Sequence, residues 1–368
     1  MQIKYFSLFF ILLSLVVISL VFQISFSSNH LMLNSAEKNI SSQNTSNTQT
    51  NTFFNTKNLN KTNTNYSLKS FTVDYSYPKY VQLYTYARPN YTYKQPIHIH
   101  NTKYPQNTLL AMIHTLPSHL VHIKNTRQTW CQRNYQDIFG FKCLFILVNK
   151  TVEDYDNTHP KENIFKTLLT MNSTYNDIYL IDMPGLQESW TTLQQKNIAA
   201  YTQIYPLYTS YKFYARVDDC VMVNVEMLMD VLNEIPSNNT VVGDFWNHAP
   251  WKEPGKKYYD KLASRYSLYY TFPSGYFSIF SNDITHFFAD WDKYYNIAPS
   301  SLEDPGFGFL IWKYTKENNM KVNLIKPKLW GGQIKAKYGN YIVFHGMIGE
   351  MNQIDFYDRS IKDGHFVN

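Results

Sequence analysis

A short apolar segment that ends in two adjacent carboxylates constrains this chain more than any other feature. Residues 213–218 read Phe-Tyr-Ala-Arg-Val-Asp, a run typical of a buried strand, and Asp219 follows directly. Apolar residues then recur at helical spacing from Met227 to Ile235, which predicts an amphipathic helix. Because open α/β sheets bind ligands at the carboxyl ends of their strands, Asp218 and its neighbour are candidate ligands for a hard divalent cation. Capping of the following helix is the alternative role for these two acids.

Alternating strand and helix patterns surround this segment and predict the fold class. The chain carries strand-like runs at 143–148, 177–183 and 240–246, and helix-like runs at 162–171 and 186–205. Alternation of this kind predicts an α/β fold with a mostly parallel sheet covered by helices. No Gly-x-Gly-x-x-Gly segment is present, so a dinucleotide-binding fold of the usual kind is not indicated.

The N-terminal part of the sequence predicts a membrane anchor followed by a stem. Residues 5–26 are almost wholly apolar and about as long as a membrane span requires, and Lys4 favours a cytoplasmic N-terminus for residues 1–4. A cleaved signal peptide is the alternative interpretation. Residues 27–104 are rich in Asn, Thr and Ser, and they predict a flexible, glycosylated stem. The folded body is expected at 105–368.

Composition excludes some function classes. The formal net charge of +6 comes from dispersed basic residues, which gives no indication of nucleic-acid binding. Three cysteines are too few for a disulfide scaffold, and none lies in a Cys-x-x-Cys pair. In an oxidising compartment Cys131 and Cys143 could pair and leave Cys220 free, whereas three free thiols are the alternative.

Five segments, in order, resemble the β-1,3-glycosyltransferases, the family that includes β-1,3-galactosyltransferases, β-1,3-N-acetylglucosaminyltransferases and Fringe. Each segment is similar to a family motif, although the segment around Gly275 is compressed relative to the family's. The third, Arg-Val-Asp-Asp-Cys-Val-Met-Val-Asn, is similar to the family's basic-x-Asp-Asp-Asp-x-x-Val-Asn motif. The five segments occupy 124–130, 176–196, 216–224, 270–283 and 303–308.

The resemblance implies a GT-A-like glycosyltransferase fold, with a donor and metal-binding half at 105–245 and an acceptor half at 246–368. It implies a type II, single-pass Golgi membrane enzyme with a lumenal catalytic domain. Such an enzyme transfers galactose, GlcNAc or GalNAc from a UDP-sugar to the 3-hydroxyl of a glycan acceptor, with inversion to a β-1,3 linkage. The implied cofactor is a divalent metal, Mn²⁺ in most of the family.

The resemblance also assigns site residues. Asp304 matches the catalytic base, with a turn or helix-cap acid as its alternative role. Nucleotide-sugar binding falls to Arg127, Asp218, Asp219 and Glu303, where an ion-pair role is the alternative for the arginine. The metal ligands are Asp219, Cys220 and His345, and a structural role is the alternative for the histidine.

Two departures from the family pattern bear on activity. Cys220 stands where the family has the third Asp, its main metal contact, and thiolates prefer metals softer than manganese. Pro305 follows Asp304 and predicts an extended backbone at that acid. The alternatives to a transferase are therefore a catalytically inactive lumenal sugar-binding protein on the same fold, and a glycoside hydrolase that uses Glu303 or Asp304.

Overall fold

The protein is described from a computed structural model. It divides into two compact units, Met1–Asn63 and Thr64–Asn368. The described residues all lie in the second unit, at 84–86, 104–183, 185–263, 267–290, 300–327, 330–333, 341–346 and 353–362. The expected anchor at 5–26 and most of the expected stem lie outside them. Within the described ranges, no helix combines the length and apolar character that a membrane crossing needs.

The central feature is an eight-stranded sheet with the order β1-β11-β7-β10-β5-β2-β3-β4. Its described neighbours pair in parallel except at β10, which runs antiparallel to both β5 and β7. The predicted mixed α/β fold with a mostly parallel sheet is thus confirmed. The strands are β1 Tyr84–Tyr86, β2 Leu109–His114, β3 Phe141–Val148, β4 Ile178–Ile181, β5 Phe213–Asp218, β7 Thr240–Val242, β10 Phe277–Ser281 and β11 Asn323–Pro327.

Helices cover both faces of this sheet, because successive strand residues point to opposite sides. In β2, Leu109 and Ala111 join one apolar cluster, while Leu110 and Met112 join the other. Such strands are apolar on both faces, as buried parallel strands usually are. The helices are α1 Leu120–Gln128, α2 Arg133–Phe139, α3 Asn149–Thr158, α4 Ile164–Tyr175, α5 Leu193–Ile204, α6 Val225–Glu234, α7 Asn282–Ala289, α8 Glu303–Asn318 and α9 Gln353–Lys362.

The chain order across the sheet reverses between β2 and β5. From β2 the chain moves outward through β3 to β4, and then returns to β5 on the other side of β2. Ligands of open α/β sheets bind in the crevice beyond the strand ends at such a reversal. The carboxyl ends of β2 and β5 are therefore where the fold itself places a binding site.

Two small sheets complete the architecture around this crevice. The three-stranded sheet has the order β12-β13-β6, where β6 is Met222–Val223, β12 is Gly332–Gln333 and β13 is Val343–His345. The strands β8 Phe245–Trp246 and β9 Phe272–Pro273 form an antiparallel pair. Since β6 follows β5 almost directly, its pairing with β13 brings the distant end of the chain to the carboxyl end of β5.

The structure departs from the sequence expectations in three segments. Tyr84–Tyr86, expected within the flexible stem, forms a strand parallel to β11. The run at 240–246, expected to be one strand, divides into β7 and β8, which belong to different sheets. The helix expected from 186 begins at Leu193, after a 3₁₀ turn at Trp190–Thr192 that a Ser189 capping box closes. Tertiary pairing and capping thus override the local apolar pattern.

Cys131 and Cys143 form a disulfide with their Cα atoms 6.1 Å apart, and Cys220 is a buried free thiol. This is the pairing that the sequence left open. The bond ties the segment after α1 to the first half of β3, across a sequence separation of 12 residues. It therefore fixes α1 against the sheet.

Replacing both cysteines, Cys131→Ser with Cys143→Ser, should lower the free energy of unfolding by about 2–4 kcal/mol, because the unfolded chain gains the freedom of an open loop. Urea denaturation followed by circular dichroism measures the loss. Reductant is the matched control: it should destabilise the wild type and leave the double variant unchanged. A variant as stable as the oxidised wild type would contradict the proposed contribution of the bond.

Candidate active site

The polar residues of the crevice begin at the paired ends of β2 and β5. His114, the last residue of β2, lies opposite Asp218, the last residue of β5, in the parallel register. His114 is buried, and within the described ranges neither of its ring nitrogens has a hydrogen-bond partner. Burial, followed by the positive charges of Arg216 and Lys196, holds the pKa of His114 well below its usual value. A neutral imidazole therefore faces the crevice floor.

Arg216 is the buried cation around which the acidic groups assemble. Its Nη1 donates to Asp218 Oδ1 at 2.5 Å and to the carbonyl oxygen of Gly275. Its Nη2 donates to Glu303 Oε2 at 2.8 Å, and its Nε lies 2.5 Å from Glu303 Oε1. A charge this deeply buried is tolerated only with such partners. Arg216 thereby links β5, the segment before β10, and the start of α8.

Glu303 and Asp304 open α8, and both differ from free carboxyl groups. Burial raises the pKa of Glu303; Arg216 opposes that rise, whereas the charge of Asp304 adds to it. Burial also raises the pKa of Asp304, against a hydrogen bond from the Gly275 backbone and the charge of Arg216. Both carboxyls therefore titrate above their ordinary range, as is common for groups that exchange protons in active sites.

Exposure distinguishes the two acids. Glu303 is only 7% exposed, and its oxygens are engaged by Arg216 and by Asn197 Nδ2, which donates to Glu303 Oε1 at 2.7 Å. Asp304 remains partly exposed. Glu303 therefore holds the site together, while Asp304 can reach a bound molecule.

The backbone at Asp304 corrects one expectation. Pro305 predicted an extended conformation for Asp304, but Asp304 is the second residue of α8. The proline is accommodated because amide hydrogens of the first helical turn have no acceptor within the helix, so its missing N–H costs no helical hydrogen bond. The first turn of a helix also favours negative charge, which suits both acids.

Asp218, Cys220 and His345 form a compact group beside Arg216. One potential ligand atom from each residue lies within 4.8 Å of the other two. His345 Nε2 is 3.9 Å from Asp218 Oδ2, and its ring stacks on Tyr276 with centroids 4.6 Å apart. Burial lowers the pKa of His345, which keeps its imidazole neutral and available as a ligand. In the described part of the chain this is the one such group of His, Cys and acidic side chains.

The donor set of this group does not fit the manganese that the family resemblance implies. Manganese prefers oxygen ligands, whereas this group offers one carboxylate, one sulfur and one imidazole. Burial raises the pKa of the Cys220 thiol to about 12, and the thiol sits where the family has a third carboxylate. Asp218 and His345 suit a divalent cation in general, but the sulfur favours a softer one.

Asp219 lies outside this group, although the sequence suggested it as a metal ligand. Its carboxylate accepts a hydrogen bond from Thr115 Oγ1 at 2.6 Å and lies 2.8 Å from His119 Nδ1. These contacts outweigh its burial and lower the pKa of Asp219, and the same contact raises the pKa of His119. His122 Nδ1 approaches the Asp219 backbone oxygen at 3.2 Å. Asp219 therefore joins the end of β5 to the start of α1, and Asp218 is the acid that lies with Cys220 and His345.

Arg127 is not brought to the crevice. It forms two hydrogen bonds with Asp177, at 2.8 Å and 2.5 Å, and its guanidinium lies 4.2 Å from the ring centre of Tyr175. Asp177 precedes β4, so this ion pair lies at the amino end of the sheet, whereas Asp218 lies at the carboxyl end. The structure thus places Arg127 in the ion pair that the sequence left as the alternative to donor binding.

Several crevice residues carried no assigned role from the sequence. Lys196 is buried, pairs with Glu188 at 2.5 Å, and donates to the Thr115 carbonyl oxygen at 3.0 Å. Gln194 lies against Gly306 of α8, and its buried side-chain amide has no partner within the described ranges. Lys196 ends the second family-like segment at 176–196, whereas Gln194 and Asn197 carried no sequence signal beyond being polar residues in a predicted helix.

Arg216→Met should destabilise the fold by about 3–5 kcal/mol, because it leaves buried carboxylates without their cation. The loss should be larger at pH 8 than at pH 5. Without Arg216, the folded-state pKa of Glu303 rises further above the unfolded value, so the folded state binds more protons and loses stability as pH rises. Urea denaturation at both pH values measures this effect. Lys150→Met, which breaks an exposed pair with Asp154, is the control and should leave stability nearly unchanged, because exposed ion pairs are screened by solvent. Equal losses of stability at both pH values would contradict the conclusion that Arg216 lowers the pKa of Glu303.

The sequence matches one known protein family. The family model described as "Galactosyltransferase" matches residues 124–315. No curated protein sequence matches the chain. Solved structures that match include the "Crystal structure of a glycosyltransferase involved in the glycosylation of the major capsid of PBCV-1", with 11% sequence identity and a TM-score of 0.30 over 69% of this chain and 99% of that chain. The family match begins within α1 and ends within α8, so it includes β5 and the first turn of α8, whereas β2 and β13 lie outside it. The chain belongs to the galactosyltransferase family.

Proposed function

We propose that the protein is a UDP-sugar-dependent β-1,3-glycosyltransferase on a GT-A-like fold. It transfers galactose, GlcNAc or GalNAc to the 3-hydroxyl of a glycan acceptor, with inversion at the anomeric carbon. The observation that carries this proposal is the pairing of an accessible acid, Asp304, with the Asp218–Cys220–His345 group around a single buried arginine. Family membership supports glycosyl transfer as the reaction class.

The reaction requires one base and one stabilised leaving group. The acceptor 3-hydroxyl oxygen attacks the anomeric carbon while Asp304 takes the hydroxyl proton. The bond from that carbon to the β-phosphate oxygen breaks on the opposite side, so UDP leaves and the configuration inverts. Asp304 suits this role because it is partly exposed and its pKa is raised toward neutrality.

Charge around the leaving group supports a bound cation. Asp218, Glu303 and Asp304 place three acidic groups around Arg216, and the nearby Lys196 is already paired with Glu188. A divalent cation, when bound, would neutralise the diphosphate charge that develops as the bond breaks. Asp218 and His345 offer ligand atoms on the crevice side and would orient the diphosphate above the end of β5.

Exposed aromatic rings beside the crevice suggest where the acceptor lies. Trp246 is half-exposed, and its Nε1 donates to Ser274 Oγ at 2.6 Å, one residue before the glycine that contacts Asp304. Trp251 and Tyr258 are also exposed, with ring centres 5.2 Å apart. Flat apolar faces with polar edges suit the stacking of sugar rings. Two other aromatic residues of this region do not offer an open face to a sugar, because Tyr269 is buried and Tyr270 stacks on Trp312.

We also propose that the enzyme is a type II Golgi membrane protein, anchored by residues 5–26 with its catalytic domain in the lumen. The apolar length of that segment supports the anchor. The Cys131–Cys143 disulfide supports an oxidising compartment, because disulfides rarely persist in the cytosol.

A second candidate function is sugar binding without turnover, and Cys220 is the observation that favours it. A protein that lacks the family's third acid could hold the donor yet fail to stabilise the departing diphosphate. A glycoside hydrolase is less consistent with the site, since hydrolysis needs two carboxylates that face the scissile bond and Glu303 is buried against Arg216.

Acceptor-dependent UDP release by the full-length protein tests the proposal, with a panel of UDP-sugars and simple galactosides, N-acetylhexosaminides and fucosides as acceptors. Asp304→Asn should lower the turnover rate by about 10²–10⁴-fold while donor binding is retained, because the variant cannot take the hydroxyl proton. Asp154→Asn, on the exposed face of α3, is the matched control and should keep full activity. Full transfer by Asp304→Asn would refute the base assignment. Donor binding without product in the wild type would establish the sugar-binding alternative.

The pH profile gives a separate check on the base. Asp304 acts only when ionised, so kcat/KM should fall as pH decreases through its pKa. Because burial raises that pKa, the acid limb should lie above the ordinary aspartate range near about pH 4. Circular dichroism at each pH controls for loss of fold. A rate that stays constant down to pH 4 would contradict the raised pKa of the base.

A further inference from the structure

The position of the Cys220 thiol among potential ligand atoms has a consequence for the choice of metal. Cys220 is buried and free, yet its sulfur lies with an Asp218 oxygen and a His345 nitrogen within a span of 4.8 Å. Ligands that share one ion at about 2.0–2.3 Å must lie within twice that distance of one another. The 4.8 Å span slightly exceeds this limit, so small side-chain rotations would bring the three atoms onto one ion.

The backbone delivers these ligands from two independent elements. Asp218 ends β5 and Cys220 follows two residues later, in a turn closed by the Val221 amide donating to the Asp218 carbonyl oxygen at 3.2 Å. His345 ends β13, which the antiparallel pairing with β6 aligns beside that turn. The next residue, Gly346, donates its backbone N–H to the Cys220 sulfur. The sulfur therefore sits at a junction that both elements hold in place.

Ligand chemistry distinguishes this set from an oxygen-only site. Manganese and magnesium favour carboxylate, carbonyl and water oxygens, whereas thiolate and imidazole together favour zinc and similar ions. Zinc sites of the catalytic type use three protein ligands and keep a fourth position open. One thiolate, one imidazole and one carboxylate match that pattern, and Asp218 and His345 are both partly exposed toward the open side.

We propose that Asp218, Cys220 and His345 bind a thiophilic divalent cation of the zinc class, with a fourth position left for a diphosphate oxygen. This inference rests on the proposed function for the role of the fourth position. Binding forms a sulfur–metal bond as the Cys220 thiol gives its proton to solvent, so one proton is released from the thiol per ion bound. The neutral His345 binds without proton release.

The alternative is a buried cysteine that only fills space, as buried free cysteines often do. A space-filling thiol needs no ligand partners. Cys220 instead has a carboxylate oxygen and an imidazole nitrogen within 4.8 Å of its sulfur, both at the carboxyl end of β5 where the fold places its binding crevice. Cys131 and Cys143 are joined to each other, so Cys220 is the only free thiol of the three cysteines in the chain.

Cobalt substitution tests the proposal without any assay of activity. The full-length protein is stripped with chelator and titrated with Co²⁺ alone, under anaerobic conditions. A near-ultraviolet charge-transfer band between thiolate sulfur and cobalt should appear in proportion to bound metal, and Zn²⁺ should abolish it by displacement. Because the other cysteines are disulfide-bonded, any such band reports Cys220. Absence of the band at saturating cobalt would overturn the proposal.

Cys220→Asp is the matched variant, since it restores the oxygen ligand of the family motif in the same backbone position. Zinc binds more tightly than manganese at most protein sites, so the informative quantity is the zinc-to-manganese affinity ratio. That ratio should fall about tenfold or more in Cys220→Asp, and the charge-transfer band should vanish. His345→Ala should weaken cobalt binding by about tenfold or more without removing the sulfur band at saturation. A ratio unchanged in Cys220→Asp would also overturn the proposal.

These readouts separate this inference from the proposed function. Sulfur-ligated metal in a protein that releases no UDP would sustain the metal assignment and refute the transferase. Acceptor-dependent UDP release without a sulfur band would support the transferase and refute the metal assignment.

Discussion

The buried charge of Arg216 is the interaction on which the rest of the crevice depends. A guanidinium inside a protein is stable only if carboxylates and carbonyls satisfy it, and here Asp218, Glu303 and the Gly275 carbonyl do so. These partners come from the end of β5, the segment before β10 and the start of α8. A single cation therefore fixes three separate segments at one point, and the accessible acid Asp304 is held there because it follows Glu303.

The sheet topology explains why this point lies where it does. Chain order reverses between β2 and β5, so the connections that follow these two strands lead to opposite sides of the sheet and leave a crevice between the strand ends. His114, Asp218 and the first turn of α8 converge on the gap that results. The three-stranded sheet then closes one side, since β6 and β13 bring His345 back to the end of β5. Burial raises the pKa values of Glu303 and Asp304 and lowers those of His114 and His345, which favours proton transfer over permanent charge at these four groups.

Cys220, which stands where the family motif has a third Asp, changes the ligand chemistry of the crevice more than its fold. Cys220 occupies a turn whose backbone hydrogen bonds do not depend on the side chain, so a thiol is accommodated without rearrangement. The substitution exchanges a hard ligand for a soft one beside an unchanged acid and imidazole. The backbone scaffold of the crevice is therefore separable from the ligand chemistry at position 220.

The sequence by itself determined the strand-and-helix alternation, the acidic ends of β5 and α8, and membership of a glycosyltransferase family. These follow from local apolar periodicity and motif spacing, which depend on short stretches of chain. Only the tertiary structure decided which of the two adjacent acids lies with Cys220 and His345. Asp219 contacts Thr115 and His119, whereas Asp218 faces His345. The same holds for Arg127, which pairs with Asp177 at the far end of the sheet, and for Tyr84–Tyr86, which gains its order from β11. Adjacent residues in a turn can point in opposite directions, and their partners lie about a hundred residues away, so no local pattern carries that information.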